Sequence, residues 1–390
     1  MEMYLATSLL VFFTISFLIL ALLPQSFTLG ELMIVSQVLS ILCIDFAISI
    51  YSRLRFVFPS IVNGTTKVDQ LPFTRTEITF ILQSFIVGML LTGLLLLPVF
   101  YYLHIVCETL DLWIGYFCFY IICFLSFIAI FLPSLYLNLG GINPFIWFIE
   151  FISLNHNRVF LLFYWTIIAL FSLFVVSWRY SYPSLTPSNI IVRKIFHVLA
   201  VAIFVPGIIY DPALLHLCST LAISLFIFVE YIRIGHIKPF GELFHDHLCC
   251  LTDDKDSGPL ILTHVYLLVG CALPLWMFPM NYHHLYQHGC NVLLYAGVLS
   301  IGVGDATASV IGVKFGKTKW KGLSKTVEGT LASCLSQFFL LVLLKPYGIK
   351  LHSLALTVIL SSLLEAFTTQ IDNLILPIYT YSLLAFACVT

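Results

Sequence analysis

"EITFILQSFIVGMLLTGLLLLPVFYYLH", residues 77–104, carries no Asp, Glu, Lys or Arg after its first position. A helix that crosses the hydrocarbon core of a bilayer needs roughly 20 predominantly apolar residues in a row, and this block exceeds that length. Comparable blocks occupy 4–24, 31–51, 112–137, 158–178, 195–210, 213–232, 259–280, 291–313, 329–345, 351–370 and 374–389. The weaker stretch 140–154 reads as re-entrant or packed rather than spanning. Hydrophobic residues make up 60% of the 390 and charged residues 9%, against about 25% charged in soluble domains. That balance excludes a soluble single core. The expected fold is all-α, a multipass integral membrane helical bundle with about 10–14 transmembrane helices.

The first block lacks a basic flank and is too long for a signal-peptide core, so it reads as a retained helix. A net charge of −1 offers no general attraction to nucleic acid. The 11 cysteines are scattered through apolar segments without C-x-x-C spacing and read as small buried hydrophobes. Cys249 and Cys250 beside His245 and His247 lack the separated spacing of a structural zinc site. His283, His284 and His288 read as an interfacial loop.

The basic residues are unevenly placed. Of 18 Lys and Arg, Lys314, Lys317, Lys319, Lys321 and Lys325 fall close together, and a looser group (Arg53, Arg55, Lys67, Arg75) precedes residue 77. A basic loop by itself is an orientation signal. These lysines keep other company, in "GVGDATASVIGVKFGKTKWKGLSKTVEGT" from Gly302 to Thr330. Within it, "VIGVKFGKTKW" is nearly a Walker A sequence, but three residues separate Gly312 from Gly316 where the phosphate loop needs four. The G-x-x-x-G spacing of that pair also suits close helix packing. Glycines such as Gly316, Gly322 and Gly329 permit turns and close approach. The lysines, Ser324, Thr326 and Thr330 supply donors for phosphate oxygens. Asp305, in an otherwise apolar helix, is costly unless it faces protein or water. Glu328 opens the next apolar block, where an acid favours a helix N-terminus. A carboxylate for a divalent cation beside lysines and backbone N–H groups for phosphates is what a metal–polyphosphate complex requires.

"GDATAS" followed by "GVKFGKTKWKGLSKTVEGT" resembles the polyprenol kinase family of integral membrane enzymes, and within it the dolichol kinases. The family pattern is G-D-x-x-A-S, a glycine-and-basic loop with an aromatic, and K-K-T-x-E-G-T. Gly304-Asp305, Ala308-Ser309, Trp320 and Lys325 to Thr330 match it; Ser324 departs where the first lysine of the pair usually stands. "RKIFH" (Arg193, Lys194, His197), "FVEYIRI" with "DDKDSGPLILTHVYLLVGC", and "SLLEAFTTQIDNLILPIY" are similar as well. The likeness covers about residues 190–390, and residues 1–185 match only as apolar spans. It implies an N-terminal transmembrane region 1–185 and a catalytic region 186–390 with a CTP-binding loop at 314–329.

It further implies that CTP gives its terminal phosphate to dolichol with a divalent metal, Mg2+, at the endoplasmic reticulum membrane. The implied CTP contacts are Lys314, Gly316, Lys317, Lys319, Trp320, Lys321, Gly322, Ser324, Lys325, Thr326, Glu328 and Gly329. Asp305 is the expected metal ligand, Lys325 the phosphate neutraliser, and Asp372 or Glu365 the group that orients or deprotonates the alcohol. Glu328 stays open between a metal-side acid and a helix-end stabiliser. Glu365, Thr369 and Asp372 have the i, i+4, i+7 spacing of one helix face. Arg193 and His197 share a face in the same way, and Glu230 and Arg233 read as a local ion pair. A lipid cytidylyltransferase, a kinase for another polyprenol or phytol, and a transporter are the rival readings. The 314–328 loop is expected to face the cytosol, although the sequon Asn63-Gly64-Thr65 makes a lumenal 53–75 loop conceivable.

Overall fold

A computed structural model describes residues 2–57, 76–105, 109–182, 189–249, 258–278, 290–344, 349–368 and 370–389. The helices are α1 Glu2–Leu22, α2 Leu29–Val57, α3 Glu77–Ile105, α4 Thr109–Ser126, α5 Leu132–Asn138, α6 Pro144–Ser153, α7 His156–Ser181 and α8 Asn189–Tyr210. They continue with α9 Pro212–Ile234, α10 Gly241–Cys249, α11 Thr263–Met277, α12 Ala306–Phe315, α13 Val327–Leu344, α14 Leu351–Phe367 and α15 Asp372–Val389. Among the described residues 8 helices are long and apolar enough to cross a membrane, beside shorter apolar ones. Every apolar block named above contains a helix. The 140–154 stretch forms α6, whose 10 residues reach only about 15 Å. It is too short to span. The Asn63 sequon, Lys67, Arg75, Thr369, Cys250 and the His283–His288 cluster lie outside the described residues.

Three irregularities have local causes. Pro133 cannot donate a backbone hydrogen bond and its ring crowds the preceding turn, and the block 112–137 accordingly passes through a π-helical turn, Phe127–Phe131, between α4 and α5. In α8, Pro206 leaves the Ala202 carbonyl without its helical donor, and the Tyr164 hydroxyl donates to it across 3.0 Å. The third is a correction. Glu365 and Asp372 do not share one helix face, because α14 stops at Phe367, Thr368 is extended (φ −70°, ψ 138°), and α15 starts at Asp372. Adjacent β-branched threonines weaken a helix, and an acid is favoured in a first turn, where Asp372 now stands.

The chain forms two compact units. One comprises Met1–His156, Thr220–Asp246 and Ser257–Ile261. It has an apolar core around Leu96, Val99, Tyr116, Phe119, Ile232 and Ile237. A buried polar chain runs beside it: Ser49 donates to Asn138 and Asn138 to Ser84, each across 2.8 Å. Glu230 and Arg233 form the expected local ion pair at 2.7 Å. Arg233 also donates to the Pro259 carbonyl.

The other unit comprises Asn157–Ser219, His247–Asp256 and Leu262–Thr390. At its centre a π-helical segment, Val298–Asp305, packs against α8, α11, α13 and α15. Gly304 permits this approach, since a Cβ there would run into the Gln337 side-chain nitrogen. Gln337 is itself buried and donates to Ser333 and Ser362. The segment's last residue is Asp305, so tight packing of small residues carries that carboxylate into the interior.

Candidate functional site

The residues between α12 and α13 fold back as a short hairpin. Lys319 and Thr326 form an antiparallel bridge. The Trp320 N–H donates to the Lys325 carbonyl across 3.0 Å and the Val327 N–H to the Thr318 carbonyl across 2.9 Å. The tip is a turn in which the Leu323 N–H donates to the Trp320 carbonyl at 3.0 Å. Gly322, its third residue, has φ +78°, a conformation that glycine adopts without strain. Thr326 caps α13 by accepting from the Gly329 N–H at 3.2 Å. Trp320 ties the hairpin down: its indole donates to Thr330 at 3.0 Å, and its ring lies 5.1 Å from that of Phe367.

This geometry answers the near-Walker reading. A phosphate loop leads from its glycines into a helix, whereas Gly316 ends α12 in an extended conformation. Gly312 packs instead, since a Cβ on Gly329 of α13 would lie 3.4 Å from the Gly312 Cα and 2.7 Å from the Ala308 carbonyl. Lys314, Lys317, Lys319, Lys321 and Ser324 are exposed on the hairpin and its approach. The Glu328 carboxylate accepts from the Thr318 N–H at 3.0 and 3.2 Å. It clamps the hairpin's two ends and does not join the other acids.

Beneath the hairpin three carboxylates from separate segments converge. Oxygens of Asp305, Glu365 and Asp372 lie within 4.8 Å of one another, among the described residues the only such group of metal-ligating side chains. Two lysines approach them. Lys325, from the hairpin's return strand, is 2.7 Å from Glu365 Oε1 and 3.3 Å from Asp372 Oδ2, and it also contacts the Glu365 carbonyl. Burial, the largest single influence, pulls the Lys325 ammonium down, but Asp372 and Glu365 together outweigh it and hold its pKa above the ordinary value. Lys194, from α8, is 2.5 Å from Asp305 Oδ2. His197, one turn further along α8, places Nε2 3.2 Å from the same oxygen and Nδ1 3.0 Å from the Arg193 carbonyl. Ser309 donates to Asp305 Oδ1 at 3.4 Å.

Asp305, Lys325, Glu365 and Asp372, singled out by sequence, are thus brought together, with Lys194 and His197 beside them. Arg193 lies one step away, lining a small pocket with Phe196, His197, His264, Leu267 and Asn373. Asn373 escaped notice in the sequence; its Oδ1 lies 3.3 Å from His197 Nε2. Its position next to Asp372 at the head of an apolar block was the signal. His247, near the adjacent cysteines, stacks on Tyr180 with ring centroids 4.4 Å apart.

Known proteins share this chain's pattern. A family model described as dolichol kinase matches residues 3–332. The human dolichol kinase is 34% identical over 390 residues, covering 96% of this chain and 68% of that protein. Dolichol kinase EVAN of Arabidopsis thaliana is 32% identical over 392 residues, 93% of this chain and 65% of the relative. Dolichol kinase sec59 of Schizosaccharomyces pombe is 39% identical over 196 residues, 49% of this chain and 38% of its own length. The likeness therefore extends through residues 1–185, where the sequence offered only apolar spans. No solved structure matches.

Proposed function

The chain belongs to the dolichol kinase family, and on that premise we propose that it phosphorylates dolichol with CTP as donor. The reaction takes place at the endoplasmic reticulum membrane, with the nucleotide site on the cytosolic side. The observation that carries this reading is the seat of Lys325 on Glu365 and Asp372, beside Asp305 and under a hairpin edged with exposed lysines. Phosphoryl transfer asks a protein mainly to position its reactants, neutralise charge and accept the alcohol's proton. Each of these has a residue here.

The exposed Lys314, Lys317, Lys319 and Lys321 attract the nucleotide, and Trp320 and Gly322 shape the hairpin that receives it. Lys325 neutralises charge on the transferring phosphoryl group. Three convergent carboxylates are the hard oxygen donors that Mg2+ takes together with nucleotide phosphates. Asp305, Glu365 and Asp372 would hold it. Lys194 and His197 engage Asp305 Oδ2, and Ser309 donates to Oδ1. When bound, the cation neutralises phosphate oxygens and lowers the repulsion met by an incoming alcohol. Lys194, His197 and Ser309 position Asp305.

The alcohol oxygen attacks the terminal phosphorus, the bond from that phosphorus to the bridging oxygen breaks, and CDP leaves with the bond's electrons. Asp372, whose side chain is 19% exposed against 6% for Glu365, accepts the alcohol's proton. The pocket bounded by Phe196 and Leu267 on its apolar side and by His197 and Asn373 on its polar side suits the hydroxyl end of an isoprenoid. The test uses membranes containing the protein, dolichol, and CTP labelled on either the α or the γ phosphate. Only γ label should enter lipid; α label in lipid would make the protein a cytidylyltransferase.

A further inference from the structure

We propose that Lys325 is a resident counter-ion that competes with the divalent cation for the same carboxylates, so that polyphosphate and metal bind as an interdependent pair. The inference rests on the kinase reading of this site. A lysine ammonium has three N–H donors. Here all three have acceptors: Glu365 Oε1 at 2.7 Å, Asp372 Oδ2 at 3.3 Å, and the Glu365 carbonyl. Lys325 so placed has no donor left for a phosphate oxygen. To touch a nucleotide it must give up at least one acid.

The acids impose the same choice from their side. Mg2+ binds oxygens at about 2.0–2.1 Å in near-octahedral geometry, and oxygens of Asp305, Glu365 and Asp372 lie within 4.8 Å of one another. A cation among them would take the oxygens that Lys325 now holds. Charge balance points the same way. Three carboxylates face two lysines, so one negative charge is left over, counting those side chains alone. A divalent cation added to that set overshoots to a net positive charge. If Lys325 departs toward phosphate, the set is balanced.

Lys194 is not the residue that leaves. It lies on Asp305 Oδ2, no ion pair joins it to Glu365 or Asp372 among those the structure shows, and its side chain is 12% exposed. The Lys325 side chain is 30% exposed, and its backbone is fixed in the hairpin through the Trp320 N–H. Rotation about its flexible four-carbon stem is enough to carry the ammonium from the acids toward the hairpin. The polyphosphate supplies the oxygens that draw it off, and the cation enters the oxygens it vacates. Each ligand therefore makes the other's binding easier.

The consequence runs against simple expectation: removing a supposed binding residue should improve metal binding. Mn2+, a paramagnetic substitute for Mg2+, is titrated by electron paramagnetic resonance into the full-length detergent-solubilised protein, with no nucleotide or dolichol. Lys325→Met should bind Mn2+ about tenfold more tightly than wild type, because a unit positive charge has been taken from the acids. Lys325→Arg, which keeps the charge, should bind like wild type. Glu365→Gln should bind more weakly than wild type. If Lys325→Met fails to give a folded protein, Lys325→Gln keeps a donor without charge and makes the same comparison. Equal or weaker Mn2+ binding in the uncharged variant, or unchanged binding in Glu365→Gln, overturns the proposal. The titration contains no donor or acceptor substrate, so the labelled-CTP experiment can fail while this one succeeds, and the reverse.

Discussion

Lys325 donates to the Glu365 carboxylate across 2.7 Å although 40 positions separate the two in the chain. One belongs to a hairpin after α12 and the other to the last turn of α14. A charge on each side of a helix pair is held by the other, and both sit beside Asp305 and Asp372. Breaking such a part-buried pair from one side leaves the other charge uncompensated, and on the proposed mechanism it removes a charge used in phosphoryl transfer.

Lys325→Ala and Asp305→Asn are expected to lower turnover by about two to three orders of magnitude in folded protein, the scale seen when a preorganised electrostatic contact is lost. Lys317→Ala should be milder, since an exposed flanking lysine contributes long-range attraction only. Turnover by purified variants checks this. Near-native Asp305→Asn with inactive Lys317→Ala would move the chemistry to the 312–318 stretch.

Glu328 separates two roles. As a hairpin clamp it needs only an acceptor for the Thr318 N–H, so Glu328→Gln should retain most activity. Glu328→Ala should raise KM for CTP more than it lowers kcat. A loss of orders of magnitude in Glu328→Gln would instead make it a metal ligand.

Gly329→Ala should destabilise the protein by about 1–3 kcal/mol, the range for overpacking in a filled interior. The new Cβ would sit 2.7 Å from the Ala308 backbone carbonyl, which cannot swing aside like a side-chain tip. Thermal unfolding in detergent measures it. An unchanged midpoint would mean that α12 and α13 are not packed through Gly312 and Gly329.

The Lys325 ion pair has a defined pH window. Asp372 and Glu365 outweigh burial and raise the folded-state pKa of Lys325. A raised pKa contributes stability that is fully present below the unfolded-state value and lost as pH rises through the folded value. The stability difference between wild type and Lys325→Met should stay constant from about pH 6 to 9 and shrink only above the ordinary lysine range, near pH 10.4. A difference that vanishes near neutrality would contradict the pairing.

Orientation is tested by Lys321→Cys in sealed microsomes. Lys321 is exposed on the hairpin, so an impermeant thiol reagent added outside should label it. Protection until the membrane is opened would put the hairpin in the lumen.

The sequence alone determined that this chain is a bundle of apolar helices, because a run such as 77–104 has no stable place but hydrocarbon or a protein interior. It also supplied Asp305 and Glu365 as candidates, because an ionisable group among apolar residues is expensive without a task, and Lys325 through its place in the K-T-x-E-G-T element. It misjudged the link between Glu365 and Asp372. Spacing suggested one helix face, but spacing predicts neighbours only while the helix continues, and α14 ends at Phe367. Tertiary structure alone decided that these acids meet, that Lys325 lies between them, and that Glu328 faces away to the Thr318 N–H. Those outcomes depend on the angle at which separate helices pack. That angle is set by close contacts such as Gly312 against Gly329 and Gly304 against Gln337. No local pattern in one segment encodes where another segment's side chains will arrive.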